Sequence, residues 1–173
     1  MLDTNRIHEA ESNVKAYLRD GLLKKAAPDR QVIGILLGNA RESLLVAEAA
    51  QNLSELWVIV CSYYAMFYSA NAALIKHGYK VSDKIVHKVT SDAMIAYIRG
   101  KLRDTLIEEY EDTKEEALNL AGIRANSLIE SFELERKKRG LIQYHTKELE
   151  KESKAKTSLQ RAKVFTLEME KLL

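Results

Sequence analysis

The segment from Glu55 to His77 constrains the fold more than any other part of this chain. On a helical wheel, Trp57, Val60, Cys61, Tyr64, Phe67 and Leu74 leave little polar face, and Gly78 supplies a C-terminal stop. A helix that is apolar almost all round must be wrapped by other elements, because any side left open would hold large apolar groups in water. This segment therefore predicts a central buried helix, and no stretch of the chain approaches the roughly 20 apolar residues of a membrane span.

The remaining segments have the pattern of the helices that would wrap it. From about Asp3 to Asp20, Ile7, Ala10, Val14 and Leu18 recur at spacings of three and four, with Thr4 placed to cap and Gly21 to stop. After Pro28 a stripe of Ile33, Leu37, Ala40, Leu44, Ala47 and Gln51 runs to about Leu53. Ser82 is placed to cap a fourth helix carrying Ile85, Val89, Ala93 and Ala96 as far as Gly100. Leu102 to Tyr110 reads as a short helical piece or linker. From Thr113, the residues Ala117, Leu120, Arg124, Leu128 and Phe132 predict a long helix to about Lys138. A last helix, from roughly Thr146, carries Ala155, Leu159, Ala162, Phe165, Met169 and Leu172 on one face.

With one proline and seven glycines in 173 residues, the chain is short of turn formers. No alternating strand pattern, internal repeat or low-complexity stretch is evident. The expectation is all-α: one domain over residues 1–173, an antiparallel bundle of five or six helices around a four-helix up-and-down core.

The formal net charge of +2 arises from interspersed charges of both signs, so attraction of an anionic partner falls to a local cluster. Cys61 is the only cysteine and lies in an apolar run, where it reads as a small core residue; no intrachain disulfide can form. The N-terminus lacks the apolar run of a signal peptide, and a cytoplasmic location is expected. There is no glycine-rich phosphate loop, no HExxH and no CxxC, and no cofactor is expected.

The run Ser62-Tyr63-Tyr64-Ala65-Met66-Phe67-Tyr68-Ser69-Ala70-Asn71-Ala72-Ala73-Leu74, followed by Lys76-His77-Gly78-Tyr79, resembles the central helix of HEPN-domain proteins. His87, within Ser82-Asp83-Lys84-Ile85-Val86-His87, is similar to that family's following segment. Arg136-Lys137-Lys138-Arg139, then Tyr144 and the final helix with Ala162 and Phe165, resemble its C-terminal joint and closing helix. The resemblance covers roughly residues 31 to 173 and implies an HEPN-like bundle.

It also implies an activity. Ribonucleases of that family carry an arginine followed, after four to six residues, by a histidine, and Arg139 and His145 fit that spacing. Histidine titrates near neutrality and can take a proton from a ribose 2′-hydroxyl, while arginine stabilises extra negative charge on phosphorus, so no metal is needed. The resemblance places two such motifs together in a homodimer acting on RNA, as the toxin of a toxin–antitoxin or defence system, with a small nucleotidyltransferase-like protein as antitoxin. Arg136, Lys137 and Lys138 would attract RNA phosphates, and Tyr144 would either hold the joint or contact RNA. Active members often carry a polar residue after the arginine, whereas here Gly140 follows; a non-catalytic module binding a nucleotide, an RNA or a protein partner is the alternative.

Two further groups read as structural. His77 and His87 flank a turn without the third ligand a metal would need. The acidic run Glu108, Glu109, Glu111, Asp112, Glu115 and Glu116 reads as a solvated helix face.

Overall fold

The computed structural model describes residues 2–137 and 148–173. Its helices are α1 (Thr4–Arg19), α2 (Arg30–Ala49), α3 (Glu55–Lys76), α4 (Val86–Ala93), α5 (Asp104–Lys137) and α6 (Glu148–Glu170). Strand β1 (Leu23–Lys25) lies between α1 and α2, and β2 (Tyr79–Val81) between α3 and α4. The helical bundle expected from periodicity is present, and α3 is its centre, packed against α2, α6 and α5.

Short polar residues set where the helices start. The Asp3 carboxylate accepts from the Asn5 backbone N–H, a role the sequence had suggested for Thr4, and Asp29 accepts from Gln31 and Val32. The Ser54 hydroxyl accepts from Trp57 at the start of α3. Such caps contribute about 1 kcal/mol each by satisfying N–H groups that have no partner within the helix.

Helix α3 buries Val58, Ile59, Tyr63, Met66, Ala70, Ala73 and Leu74. Removing a side chain the size of Ile59 or Leu74 from water is worth roughly 1.5–3 kcal/mol. Among the described residues α3 is the one helix long and apolar enough to cross a membrane, contrary to the sequence expectation, but 78% of its apolar window is buried within the bundle. The face of α6 is as expected: Ala155, Leu159, Ala162, Phe165 and Met169 are buried against the core.

A small sheet was not foreseen. β1 and β2 pair antiparallel, with Leu23 opposite Val81, Lys24 opposite Lys80 and Lys25 opposite Tyr79. Three-residue strands are too short for a period of two to be read, and their partners lie more than fifty residues apart, so no hairpin signal exists. The pairing also changes the start of α4. The Ser82 N–H donates to the Leu22 carbonyl as a continuation of the ladder, and Ser82 does not cap the helix. Ile85 precedes α4 instead, in the left-handed region at φ 44°, and 57% of it is exposed, whereas the sequence placed it on the core stripe. Helix α4 passes into a π-helical turn, Met94–Ile98, whose wider winding keeps Met94, Ile95 and Ile98 buried together. The segment after Leu102 is no linker: α5 is a single helix of 34 residues.

Two glycines predict opposite responses to the same substitution. Gly38 lies within α2, and a Cβ there would meet nothing within 4 Å. Gly38→Ala is therefore expected to raise stability by about 0.5–1 kcal/mol, through the lower entropy of the unfolded chain. Gly78 stands at φ 88° just after α3, so Gly78→Ala is expected to cost about 1–2 kcal/mol in backbone strain. Thermal melts of the two variants check this, and a destabilised Gly38→Ala would show that the bare face of α2 is needed.

Candidate functional site

The densest polar constellation among the described residues joins α1, α4 and α5. Helix α1 places Arg6, Ala10, Asn13 and Tyr17 along one face at helical spacing, so the buried side of this helix carries polar groups as well as carbon. Opposite stands Asp92 of α4, with 0% of its surface exposed. The Arg6 Nη1 lies 2.6 Å from Asp92 Oδ1, while the Tyr17 hydroxyl and the Asn13 amide donate to Oδ2 at 2.8 and 2.9 Å. Desolvation by burial, then the hydrogen bond to Asp92, pushes the Tyr17 hydroxyl well above its ordinary range, so it remains a donor.

Glu111 of α5 extends the network. Its carboxylate accepts from Arg6 Nη2 at 3.2 Å, from Lys114 Nζ at 2.7 Å and from the Ser91 hydroxyl. Lys114 Nζ also donates to Ser91 Oγ at 2.9 Å. A serine beside a lysine has the makings of an activated nucleophile, but here Ser91 is buried and the ammonium is committed to a carboxylate. The arrangement is thus a clasp that fastens α1 to α4 and α5. It corrects the reading of the acidic run as a solvated face at Glu111, which is held by Arg6 from α1 and by Lys114 one turn along α5; Asp112, 61% exposed, meets Arg161 of α6 at 3.2 Å.

Beside the clasp, His87 of α4 packs on Tyr63, Tyr64 and Phe67 of α3, with ring centroids 4.9 to 6.0 Å apart. Burial, and then the charge of Lys114, lowers the His87 pKa from 6.5, so the neutral ring accepts at Nδ1 from the Tyr63 hydroxyl at 2.7 Å. Tyr110 lies behind Tyr63, fully buried, and burial raises its hydroxyl well above 10. A histidine depressed in the folded state binds fewer protons than in the unfolded chain. Its stabilising contribution is therefore complete above pH 6.5 and is lost as pH falls toward the folded value. His87→Gln is expected to flatten the acid side of the stability profile. A folded-state titration of the His87 ring by NMR with its midpoint at or above 6.5 would refute the assignment.

His77 behaves as a helix-end residue, its Nδ1 donating to the Ala73 carbonyl at 2.8 Å. Cys61 is half-buried, and burial raises its thiol pKa, which leaves it a poor nucleophile.

Of the residues singled out for RNA chemistry, Arg136 and Lys137 form the end of α5. Lys138, Arg139, Tyr144 and His145 lie outside the described residues. The helices on either side are antiparallel neighbours: Glu116 accepts from Ser158 at 3.2 Å, Asp112 pairs with Arg161, and Tyr110 stacks on Phe165 with centroids 5.3 Å apart. The first turns of α6 rest beside the turn between α2 and α3, where a pocket of about 310 Å³ opens.

The clasp escaped the sequence reading because its members are far apart in the chain. A usable signal was present: a row of Thr90, Ser91 and Asp92 embedded between Val89 and Ala93. Compared with family models, with curated proteins and with solved structures, the chain matches none of them.

Proposed function

We propose that this chain is an HEPN-like, metal-independent endoribonuclease whose chemistry belongs to the stretch between α5 and α6. The observation that carries the reading is the pair Arg139 and His145, preceded by Arg136, Lys137 and Lys138, in the sequence linking two antiparallel closing helices.

In the proposed reaction His145 takes the proton from a ribose 2′-hydroxyl, whose oxygen attacks the adjacent phosphorus. Arg139 stabilises the added negative charge as the 5′-oxygen departs, taking a proton from water, and His145 later returns its own proton to solvent. One strand ends in a 2′,3′-cyclic phosphate and the other in a 5′-hydroxyl. A homodimer bringing two motifs together, a toxin role and a small nucleotidyltransferase-like antitoxin belong to the same proposal.

The test is incubation of the purified chain with mixed cellular RNA in excess chelator, followed by analysis of fragment ends. Cleavage that survives chelation and leaves cyclic phosphate is expected. Intact RNA from protein shown to be free of any bound partner would overturn the enzyme and favour a binding module of the same fold.

A further inference from the structure

The pocket beside the start of α6 has an apolar floor and a polar rim. Val58 and Ala155 are buried at its base, while Gln51, Asn52, Glu55 and Glu152 stand around it. Two of these rim groups are amides, which donate and accept. The two carboxylates differ. Glu152 is neutralised by Lys156 at 2.7 Å, whereas Glu55 makes no ion pair with any described residue. At about 310 Å³ the space admits one planar heterocycle with room for water, and Trp57, one residue before Val58 on the first turn of α3, leaves 57% of its surface in solvent.

We infer that this pocket takes one guanine base of a single-stranded RNA, an inference that rests on the ribonuclease reading and names its base preference. The apolar floor of Val58 and Ala155 suits the face of a base, and a carboxylate that makes no ion pair among the described residues suits guanine in particular. The adjacent N1–H and N2–H₂ donors of guanine match the two carboxylate oxygens of Glu55, whereas uracil offers a single N–H on that edge. The Gln51 and Asn52 amides supply donors for O6 and N7. Glu152 and Ala155 bring the first turns of α6 to this pocket.

Trp57 is the only tryptophan, so indole emission from the full chain reports directly on this corner of the fold. The probes are two single-stranded pentaribonucleotides, UUUUU and UUGUU, with every 2′-hydroxyl methylated so that neither can be cleaved. UUGUU is expected to quench the indole and to bind about tenfold tighter than UUUUU. Glu55→Ala, with an unchanged melting temperature, is expected to remove that preference, and Asn52→Ala to reduce it. Equal affinity for the two probes, or a preference that persists in Glu55→Ala, would overturn the inference. Failure of the enzyme reading has a different signature: guanine-selective binding by a chain that leaves unmodified RNA intact supports the pocket and removes the cleavage. Cleavage without guanine preference removes the pocket alone.

Discussion

Asp92→Ala is expected to destabilise the protein by about 3–5 kcal/mol, the cost of removing one partner from a buried charged network. The carboxylate is fully buried, forms an ion pair with Arg6 and accepts hydrogen bonds from Tyr17 and Asn13. Its loss leaves Arg6 with Glu111 as its remaining carboxylate partner and the buried Tyr17 hydroxyl without its acceptor, and water cannot readily replace it at a site with no exposed surface. Asp92→Asn keeps the shape and part of the hydrogen bonding but discards the charge, so it should fall between the two. Chemical denaturation of wild type, Asp92→Ala, Arg6→Met and the double variant separates the pair energy from the rest. The expected result is strong non-additivity, with the double variant less damaged than the sum of the singles. Purely additive losses would show that the 2.6 Å contact carries no energy of its own.

The second large effect concerns activity. His145→Ala is expected to lower RNA cleavage by about 10²–10⁴-fold, the usual contribution of a positioned general base. Arg139→Ala should cost on the order of 10²–10³, since the guanidinium acts on charge that develops only as phosphorus gains its fifth oxygen. Arg139→Lys keeps the charge but loses the planar fork, and should recover only part of the rate. Because the two groups act in one step, the double variant should be hardly slower than the worse single one. Single-turnover rates across pH check the assignment, with the ascending limb near neutrality vanishing in His145→Ala. A His145→Ala enzyme with wild-type rate and pH profile would rule the histidine out.

The two sites differed in how far the sequence could reveal them. The motif of Arg139 and His145 is local, six positions apart, and could be read directly from the chain. The clasp is non-local: Arg6 meets residues 85 and 105 positions away, on helices whose order around the bundle no periodicity encodes. Ile85 shows the same limit, since spacing assigned it to the core face while the structure holds it in the left-handed region between β2 and α4, with 57% of it exposed.

By itself the sequence determined which segments are helical and which side of each carries carbon, because a period of 3.6 residues is written within every segment. The buried face of α6 follows from that alone, whereas on α3, apolar almost all round, packing turned Val58, Ile59, Tyr63 and Met66 inward and left Trp57 and Tyr64 exposed. Tertiary structure decided what those faces meet. It set the three-residue strand pairing, joined the linker after Leu102 into α5, and turned Glu111 from a solvent-facing acid into the centre of an ion network. Such outcomes depend on which distant helices become neighbours, and that is settled by the packing of the whole core around α3.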